Sequence, residues 1–332
     1  MEELIGAKKH FSKIGWYYVI ATALCLAVQV AISLLFGLFW PQLLENINIS
    51  ILLSMIPLYL FAFPAVILLM VKTVPAVKIE RRRMTAGQYA LAAIICLGLA
   101  YAANIVGNIL TTVIGILKGG AVENEIASLT NSLSPAMIFF YMVLCAPFME
   151  EFVFRKLIVD RVARYGQGAA VMVSGLMFGL FHGNLNQFIY ATVIGMFLAF
   201  LYVKTGNLKI TISLHMLFNF VGGFVSTLLL RLLDLEGYME AAESGDFQSL
   251  VNHMGENLAG WILYGLFGLF VIGVMITGIV LFIVFAAKRR FACEKGEVYI
   301  PRELKYNIAF GNAGMLVFGL FWIVQIVLQL FQ

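Results

Sequence analysis

Apolar residues in this chain are gathered into long runs separated by short polar segments. A helix that crosses a bilayer needs about 20 apolar residues in succession, and such runs recur along the whole chain. They lie near residues 15–39, 49–71, 88–116, 135–158, 168–186, 187–204, 209–232, 258–287 and 307–331. Only the polar segment HGNLNQ separates the fifth run from the sixth. The pattern therefore predicts about nine spanning helices, with eight as the alternative.

Composition supports the same class of protein. Of the 332 residues, 62% are hydrophobic and 12% are charged, whereas a soluble domain averages about 45–50% apolar and about 25% charged residues. The four cysteines stand singly, so neither a disulfide framework nor a thiolate metal site is indicated. We predict an all-α fold, a polytopic transmembrane helical bundle of about eight to nine helices.

Positive charges alternate along the chain and orient the predicted bundle. Lysines and arginines precede the first run and follow the second, fourth, sixth and eighth runs, whereas the segments 40–48 and 117–134 are poor in them. The segment 233–257 is acidic. Because cytoplasmic loops carry the excess of Lys and Arg, we expect a multi-pass protein of the cell membrane with a cytoplasmic N-terminus and an external C-terminus. The first run is too long for a signal-peptide core, so we expect it to remain as an anchor.

The segment CAPFMEEFVFRKL places three ionisable residues inside the fourth run. Glu151 and Arg155 are four apart on a helix and can form an ion pair. Glu150 lies about 100° further round and points elsewhere, beside a turn that Pro147 should loosen. Ionisable groups at membrane depth are costly and mark functional sites. We therefore interpret Glu150 as a candidate general base, and Glu151 and Arg155 as supporting residues that could equally just orient helices.

Two further polar groups interrupt apolar runs. His182 opens the HGNLNQ segment, which either caps an outer loop or lines a water-filled cavity. His215 and Asn219 are four apart and share one helical face, where the amide can hold one tautomer of the imidazole or donate to a shared target; an interhelical hydrogen bond is the alternative. Together with Glu150 these residues can activate a water molecule and stabilise an oxyanion. A proton-coupled membrane transporter and a non-catalytic membrane scaffold are the alternatives from other classes.

Three motifs stand in order along the chain: EEFVFR, FGLFH and HMLFN. They resemble the E-E-x-x-x-R, F-x-x-x-H and H-x-x-x-N motifs of the CPBP family, the CAAX protease and bacteriocin-processing intramembrane proteins. The apolar runs predict N-terminal membrane helices over 1–134, and an acidic external loop with C-terminal membrane helices over 226–332; the resemblance implies that the helices over 135–225 are the catalytic core. It covers the core alone and adds nothing specific to the flanking helices.

The resemblance also implies an activity and a set of roles. The expected function is intramembrane hydrolysis of a peptide bond in a lipidated or membrane-associated peptide, in CAAX-type processing or in bacteriocin maturation and self-immunity. Glu150 and His182 would activate the water, His215 and Asn219 would form the oxyanion hole, and Glu151 and Arg155 would support the site. No cofactor is favoured, because two histidines and an asparagine make a thin zinc site. If zinc is present, its ligands would be Glu150, His182 and His215. The bilayer is the other expected partner, and nucleic acid is not expected.

The predicted topology places His215 near the cytoplasmic end of its helix and His182 near the far end of its own. The site converges if the helix before HGNLNQ is short or tilted, or if the helix of Glu150 continues to about Arg164. We favour the second arrangement, which puts the two glutamates near the middle of the membrane.

Overall fold

The computed structural model of the chain describes residues 1–331, apart from the side chain of Glu236, and this part of the chain forms helices and no strand. The prediction of an all-α polytopic bundle is confirmed. The helices that carry the apolar runs are, in chain order, α1 (Glu2–Phe39), α2 (Ile47–Thr73), α3 (Ala86–Lys118), α4 (Pro135–Tyr165), α5 (Gln167–Phe181), α6 (Leu185–Thr205), α7 (Leu208–Arg231), α8 (Leu258–Ala287) and the bent pair α9 (Arg302–Ala309 with Ala313–Gln329).

One of the predicted crossings is shorter than expected. Among the described residues, seven helices are long and apolar enough to span a bilayer, or up to eight if the pair α9, bent by 67°, is one span. Helix α5 has 15 residues, about 22 Å at 1.5 Å per residue, against a hydrocarbon core of about 30 Å. It ends early because Gly183 takes a left-handed φ of 70° and Asn184 begins α6 as its N-cap.

Basic segments meet at one end of the bundle, which we call the basic end. The Lys13 ammonium donates to the Thr73 carbonyl at 3.0 Å, which joins the start of α1 to the end of α2. The backbone N–H of Arg82 donates to the Thr205 carbonyl at 2.8 Å, which joins the segment before α3 to the end of α6. The starts of odd-numbered helices and the ends of even-numbered helices thus lie together at the basic end.

The opposite, acidic end gathers the outer segments. The Gln329 amide donates to the Glu123 carbonyl at 3.0 Å, and the Arg231 guanidinium donates to the Thr130 carbonyl at 2.6 Å. Three short helices lie at this end: Glu125–Ser132, Leu235–Glu243 and Phe247–Glu256. The alternating direction predicted for nine helices is therefore retained, although α5 does not have the length of a full crossing.

Helix α4 carries the first motif and continues to Tyr165, as favoured from the sequence. It begins with a capped first turn, in which the Ser134 hydroxyl accepts from the Met137 N–H at 3.3 Å and Pro135 stands in the first turn. Wide π-helical turns cover Phe139–Cys145 and Glu151–Val159, and such turns are frequent at functional sites. Glu150 lies midway along α4.

Helices α5 and α6 form a tightly packed antiparallel pair. At Gly175 an added Cβ would lie 2.7 Å from the backbone nitrogen of Met196, so the backbones approach as closely as only glycine allows. This close contact holds the C-terminal end of α5, with His182, against the rest of the core.

Candidate active site

The predicted ion pair between Glu151 and Arg155 is present and wholly buried. The Arg155 Nη2 lies 3.2 Å from the Glu151 Oε1, and both side chains are 0% exposed. A charge buried without a partner would be strongly unfavourable, so each of these groups depends on the other to remain ionised inside the bundle.

Both glutamates approach the same imidazole, which sequence spacing did not predict. The His215 Nδ1–H donates to the Glu151 Oε1 at 2.9 Å, and the His215 Nε2 lies 3.8 Å from the Glu150 Oε2. Glu150 was expected to point away from Glu151. It does leave α4 in a different direction, but an imidazole carries a nitrogen on each of two sides, so one ring contacts both carboxylates.

His182 lies across a phenylalanine from His215. Its Nδ1–H donates to the Phe178 carbonyl at 2.8 Å, which leaves Nε2 as the acceptor of the neutral ring. The Phe178 ring is nearly perpendicular to both imidazoles, at centroid distances of 4.8 Å from His182 and 5.7 Å from His215. The Arg155 guanidinium lies 4.1 Å from the centre of the same ring. Phe178 thus spaces the two histidines and covers the buried cation.

Asn219 is held by a carbonyl that Pro147 leaves free. The Asn219 Nδ2 donates to the Met142 carbonyl at 2.7 Å. In the π-helical turns before it, the Ala146 N–H bonds to the Tyr141 carbonyl. The next donor in this ladder, facing Met142, would be residue 147, and proline has no N–H. The predicted loosening at Pro147 therefore has a specific result, an orphan acceptor that fixes the Asn219 amide.

All four residues predicted to be catalytic line one cavity of about 290 Å³. They are Glu150, His182, His215 and Asn219. Glu150 is partly open to this space, with 17% of its side chain exposed. Glu151 and Arg155 stand behind the wall, where they position His215 without facing the cavity. The three motifs, which span about 70 residues of sequence, are thus assembled around this one cavity.

The polar segment after His182 both caps a helix and lines the cavity, the two alternatives that the sequence left open. Asn184 caps α6 by accepting from the Gln187 N–H at 2.9 Å, and its amide donates to the His182 carbonyl at 3.1 Å. The Gln187 side chain lines the cavity. The segment therefore ends one helix, starts the next and supplies a polar group to the site.

Glu125 is the cavity residue that sequence reasoning missed. It lies in the first turn of the helix Glu125–Ser132, which covers the cavity at the acidic end. Burial, together with the like charge of Glu123, raises the pKa of the Glu125 carboxyl. Its sequence signal is weak: Asn124 predicts a helix start, but nothing in a short acidic loop indicates which carboxylate turns inward.

The conditional zinc ligands do not form a metal site in this arrangement. Within residues 1–331, no group of three or more His, Cys, Asp or Glu side chains is placed to hold a metal ion. His182 has its Nδ1 engaged by a backbone carbonyl, and His215 has its Nδ1 engaged by Glu151. These bonds leave Nε2 of each ring as the nitrogen that could ligate a metal, so the conditional zinc set stays a prediction, and we derive no chemical step through a metal.

A larger apolar cavity adjoins the site. It has a volume of about 460 Å³, shares His182 and Glu125 with the smaller cavity, and lies between α1, α2 and α9. Its walls include Tyr18, Phe63 and Trp322. A volume of this size and polarity suits an apolar chain, since ligand pockets measure about 300–1,000 Å³.

Comparison with known proteins finds a family model that is similar to the segment with the three motifs. Residues 132–221, which contain all six predicted site residues, match the sequence model of the type II CAAX prenyl endopeptidase Rce1-like family. No solved structure matches the chain.

Two curated bacterial proteins are similar to the chain. The putative membrane peptidase YdiL of Bacillus subtilis (strain 168) is 27% identical over 178 residues, which cover 53% of this chain and 70% of the relative. The membrane-embedded CAAX protease MroQ of Staphylococcus aureus (strain USA300) is 32% identical over 120 residues. That alignment covers 34% of this chain and less than half, 46%, of MroQ.

Proposed function

We propose that the chain is a multi-pass membrane endopeptidase of the CPBP family with an Rce1-like CAAX protease core, and that it cleaves a lipidated or membrane-associated peptide with a water molecule activated by Glu150 and His182. The observation that carries this proposal is the assembly of Glu150, His182, His215 and Asn219 around one cavity. General bases and oxyanion donors must converge in this way on a single carbonyl.

In the proposed reaction, the Glu150 carboxylate takes a proton from a water molecule in the cavity. The oxygen of that water attacks the carbonyl carbon of the scissile peptide bond. His182 orients the water by accepting its second hydrogen at Nε2, since Nδ1–H is directed to Phe178. As the carbon–nitrogen bond breaks, Glu150 returns its proton to the leaving nitrogen. The products are an amine and a carboxylic acid, which then ionises by releasing the second hydrogen of the water as a proton to solvent.

His215 and Asn219 are the proposed donors to the oxyanion. The Asn219 amide nitrogen carries two hydrogens, and only one of them is used by the Met142 carbonyl. His215 donates from Nδ1 to Glu151, so a second donation from Nε2 requires the doubly protonated ring. The Glu151 carboxylate at 2.9 Å stabilises that positive charge, which is the role we propose for the supporting glutamate.

The lipid part of the proposal rests on the apolar cavity beside the site. A peptide whose scissile bond lies at Glu150 can place an apolar or lipidated side chain between α1, α2 and α9, because both cavities share His182. MroQ is described as a CAAX protease. We propose CAAX-type processing or maturation of a membrane-associated peptide, including bacteriocin maturation and self-immunity, as the cellular role.

We also propose that the protein lies in the cell membrane with its N-terminus in the cytoplasm. The basic end of the bundle joins the N-terminal segment to the segments around Arg82, Lys204 and Lys288, and Lys and Arg favour the cytoplasmic side. Reaction of single cysteines with a membrane-impermeant maleimide on intact cells tests this orientation. Labelling at residue 9 in intact cells would contradict it.

Cleavage of quenched fluorescent peptides by the purified full-length protein in proteoliposomes tests the activity. The panel contains a farnesylated CAAX peptide, the same peptide without its lipid, and an apolar membrane-spanning peptide. We expect Glu150→Gln to lower the cleavage rate by about 10²–10⁴-fold, the usual contribution of a general base. Glu256→Gln, in the acidic-end helix Phe247–Glu256, is the matched control and should cleave like the wild type.

The outcomes separate the parts of the proposal. Equal cleavage by wild type and Glu150→Gln would contradict the water mechanism. Equal rates on the lipidated and unlipidated peptides would contradict the lipid preference alone. If a chelator abolishes cleavage and added zinc restores it, the metal-free mechanism is wrong and a zinc-dependent mechanism takes its place. Substrate uptake without cleavage, abolished by Glu150→Ala, would favour a transporter.

A further inference from the structure

A third cavity lies at the basic end of the bundle, away from the candidate active site. It has a volume of about 540 Å³ and forms where the start of α3 meets the ends of α6 and α8. None of its lining residues belongs to the catalytic cavity. This space is as large as a typical ligand site, and the proposed peptidase function does not use it.

Five basic side chains surround this cavity. They are Arg82, Arg83, Lys204, Lys288 and Arg290, and no acidic residue is among the residues that line it. These cations come from three separate segments of sequence, before α3, at the end of α6 and after α8. Their convergence is a property of the fold and not of one charged loop.

Only two of the five cations have an ion-pair partner in the described part of the chain. Arg82 pairs with Glu80 at 3.0 Å, and Lys204 pairs with Glu294 at 3.3 Å. Both glutamates are largely exposed, at 77% and 63% of their side chains, so solvent weakens both pairs. The cavity therefore keeps an excess of positive charge that favours an anionic ligand.

The floor below these cations is apolar and aromatic. Phe197, Phe200 and Phe285 line it together with Phe291, whose ring lies 5.2 Å from that of Phe200 between centroids. A small free anion would leave these rings in contact with water. A molecule with an anionic head and an apolar tail satisfies both parts of the cavity.

The segments that bear the cations are fixed by backbone contacts. The Arg82 N–H donates to the Thr205 carbonyl at 2.8 Å, and the Arg290 N–H donates to the Phe285 carbonyl at 2.9 Å. Gly206, with φ of 55°, allows the Glu80 carbonyl to come within 2.5 Å of where a Cβ would stand. The charged rim is thus preorganised, which reduces the entropy lost on binding.

We propose that this cavity binds one anionic phospholipid. The phosphate lies among Arg83, Lys288 and Arg290, and an acyl chain covers the phenylalanines between α3, α6 and α8. Basic pockets between membrane helices at a cytoplasmic surface are suited to such headgroups. The proposal is independent of the catalytic assignment.

Lipid titration of the purified full-length protein in a neutral detergent, followed by native mass spectrometry, tests this site. The titrated lipids are phosphatidylglycerol and phosphatidylcholine with identical acyl chains. The test variant is Arg83→Gln with Lys288→Gln and Arg290→Gln. The control, Lys72→Gln with Lys78→Gln and Arg81→Gln, removes the same charge from neighbouring segments outside the cavity lining.

We expect wild type and control to prefer phosphatidylglycerol, and the test variant to lose that preference by tenfold or more, since each cation near an anionic lipid contributes roughly fivefold. If the triple variant does not fold, Lys288→Gln alone, at an exposed helix end, should weaken binding about fivefold. Equal loss in test and control variants would overturn the site. Equal binding of both lipids would overturn the charge argument, and full competition by glycerol phosphate would indicate a free-anion site instead.

Discussion

Neutralising Glu151 tests whether the buried ion pair stabilises the bundle as the geometry indicates. Glu151 and Arg155 are both 0% exposed and 3.2 Å apart. Removing one partner of such a pair leaves an uncompensated buried charge, which costs about 3–5 kcal/mol. Glu151→Gln and Arg155→Met should therefore each lower the free energy of unfolding by about 3–5 kcal/mol. The double variant buries no charge, so its loss should be smaller than the sum by about 3 kcal/mol or more.

Equilibrium unfolding in mixed micelles of neutral detergent and dodecyl sulfate measures these free energies. The control is the pair of Arg82 and Glu80, which are 3.0 Å apart and have side chains that are 60% and 77% exposed. Arg82→Met should cost no more than about 1 kcal/mol. Additive losses in Glu151→Gln with Arg155→Met would refute the reasoning, because independent effects mean that neither charge depends on the other.

Two further substitutions test the local geometry. Pro147→Ala supplies an N–H that competes with Asn219 for the Met142 carbonyl, so kcat for peptide cleavage should fall about tenfold. The thermal stability of this variant should stay equal or rise, because a proline is removed from a helix interior. Gly179→Ala places a Cβ against the Thr192 hydroxyl where α5 meets α6, and this overpacking should cost about 1–3 kcal/mol of unfolding free energy.

For each of these substitutions, one outcome would contradict the prediction. Unchanged kcat in Pro147→Ala would show that the Met142 carbonyl does not position the amide. For the glycine, Gly265→Ala in α8 is the control, since nothing lies within 4 Å of its added Cβ. Equal stability of the two alanine variants would mean that α5 and α6 are not as tightly packed as the backbone contact indicates.

The sequence predicts the helices and the residues of the site better than it predicts how those residues touch. Long apolar runs give the bundle because the bilayer fixes both length and polarity, and helical spacing pairs Glu151 with Arg155. The contact of His215 with both glutamates depends on the packing of α7 against α4, which no local pattern records. Likewise, spacing indicated that Pro147 would loosen α4, but not that the freed carbonyl would bind Asn219.

The two adjacent glutamates, Glu150 and Glu151, differ in which groups surround their carboxylates. A lone carboxylate in this interior would favour its neutral form, and one paired tightly with arginine would be a poor base. Arg155 binds Glu151, Glu151 binds the far side of His215, and the near side of that ring faces Glu150. Glu150 therefore contacts the imidazole, and among the described residues it forms no ion pair with Arg155. We infer that this separation lets one carboxylate remain a fixed charge while its neighbour exchanges a proton with water.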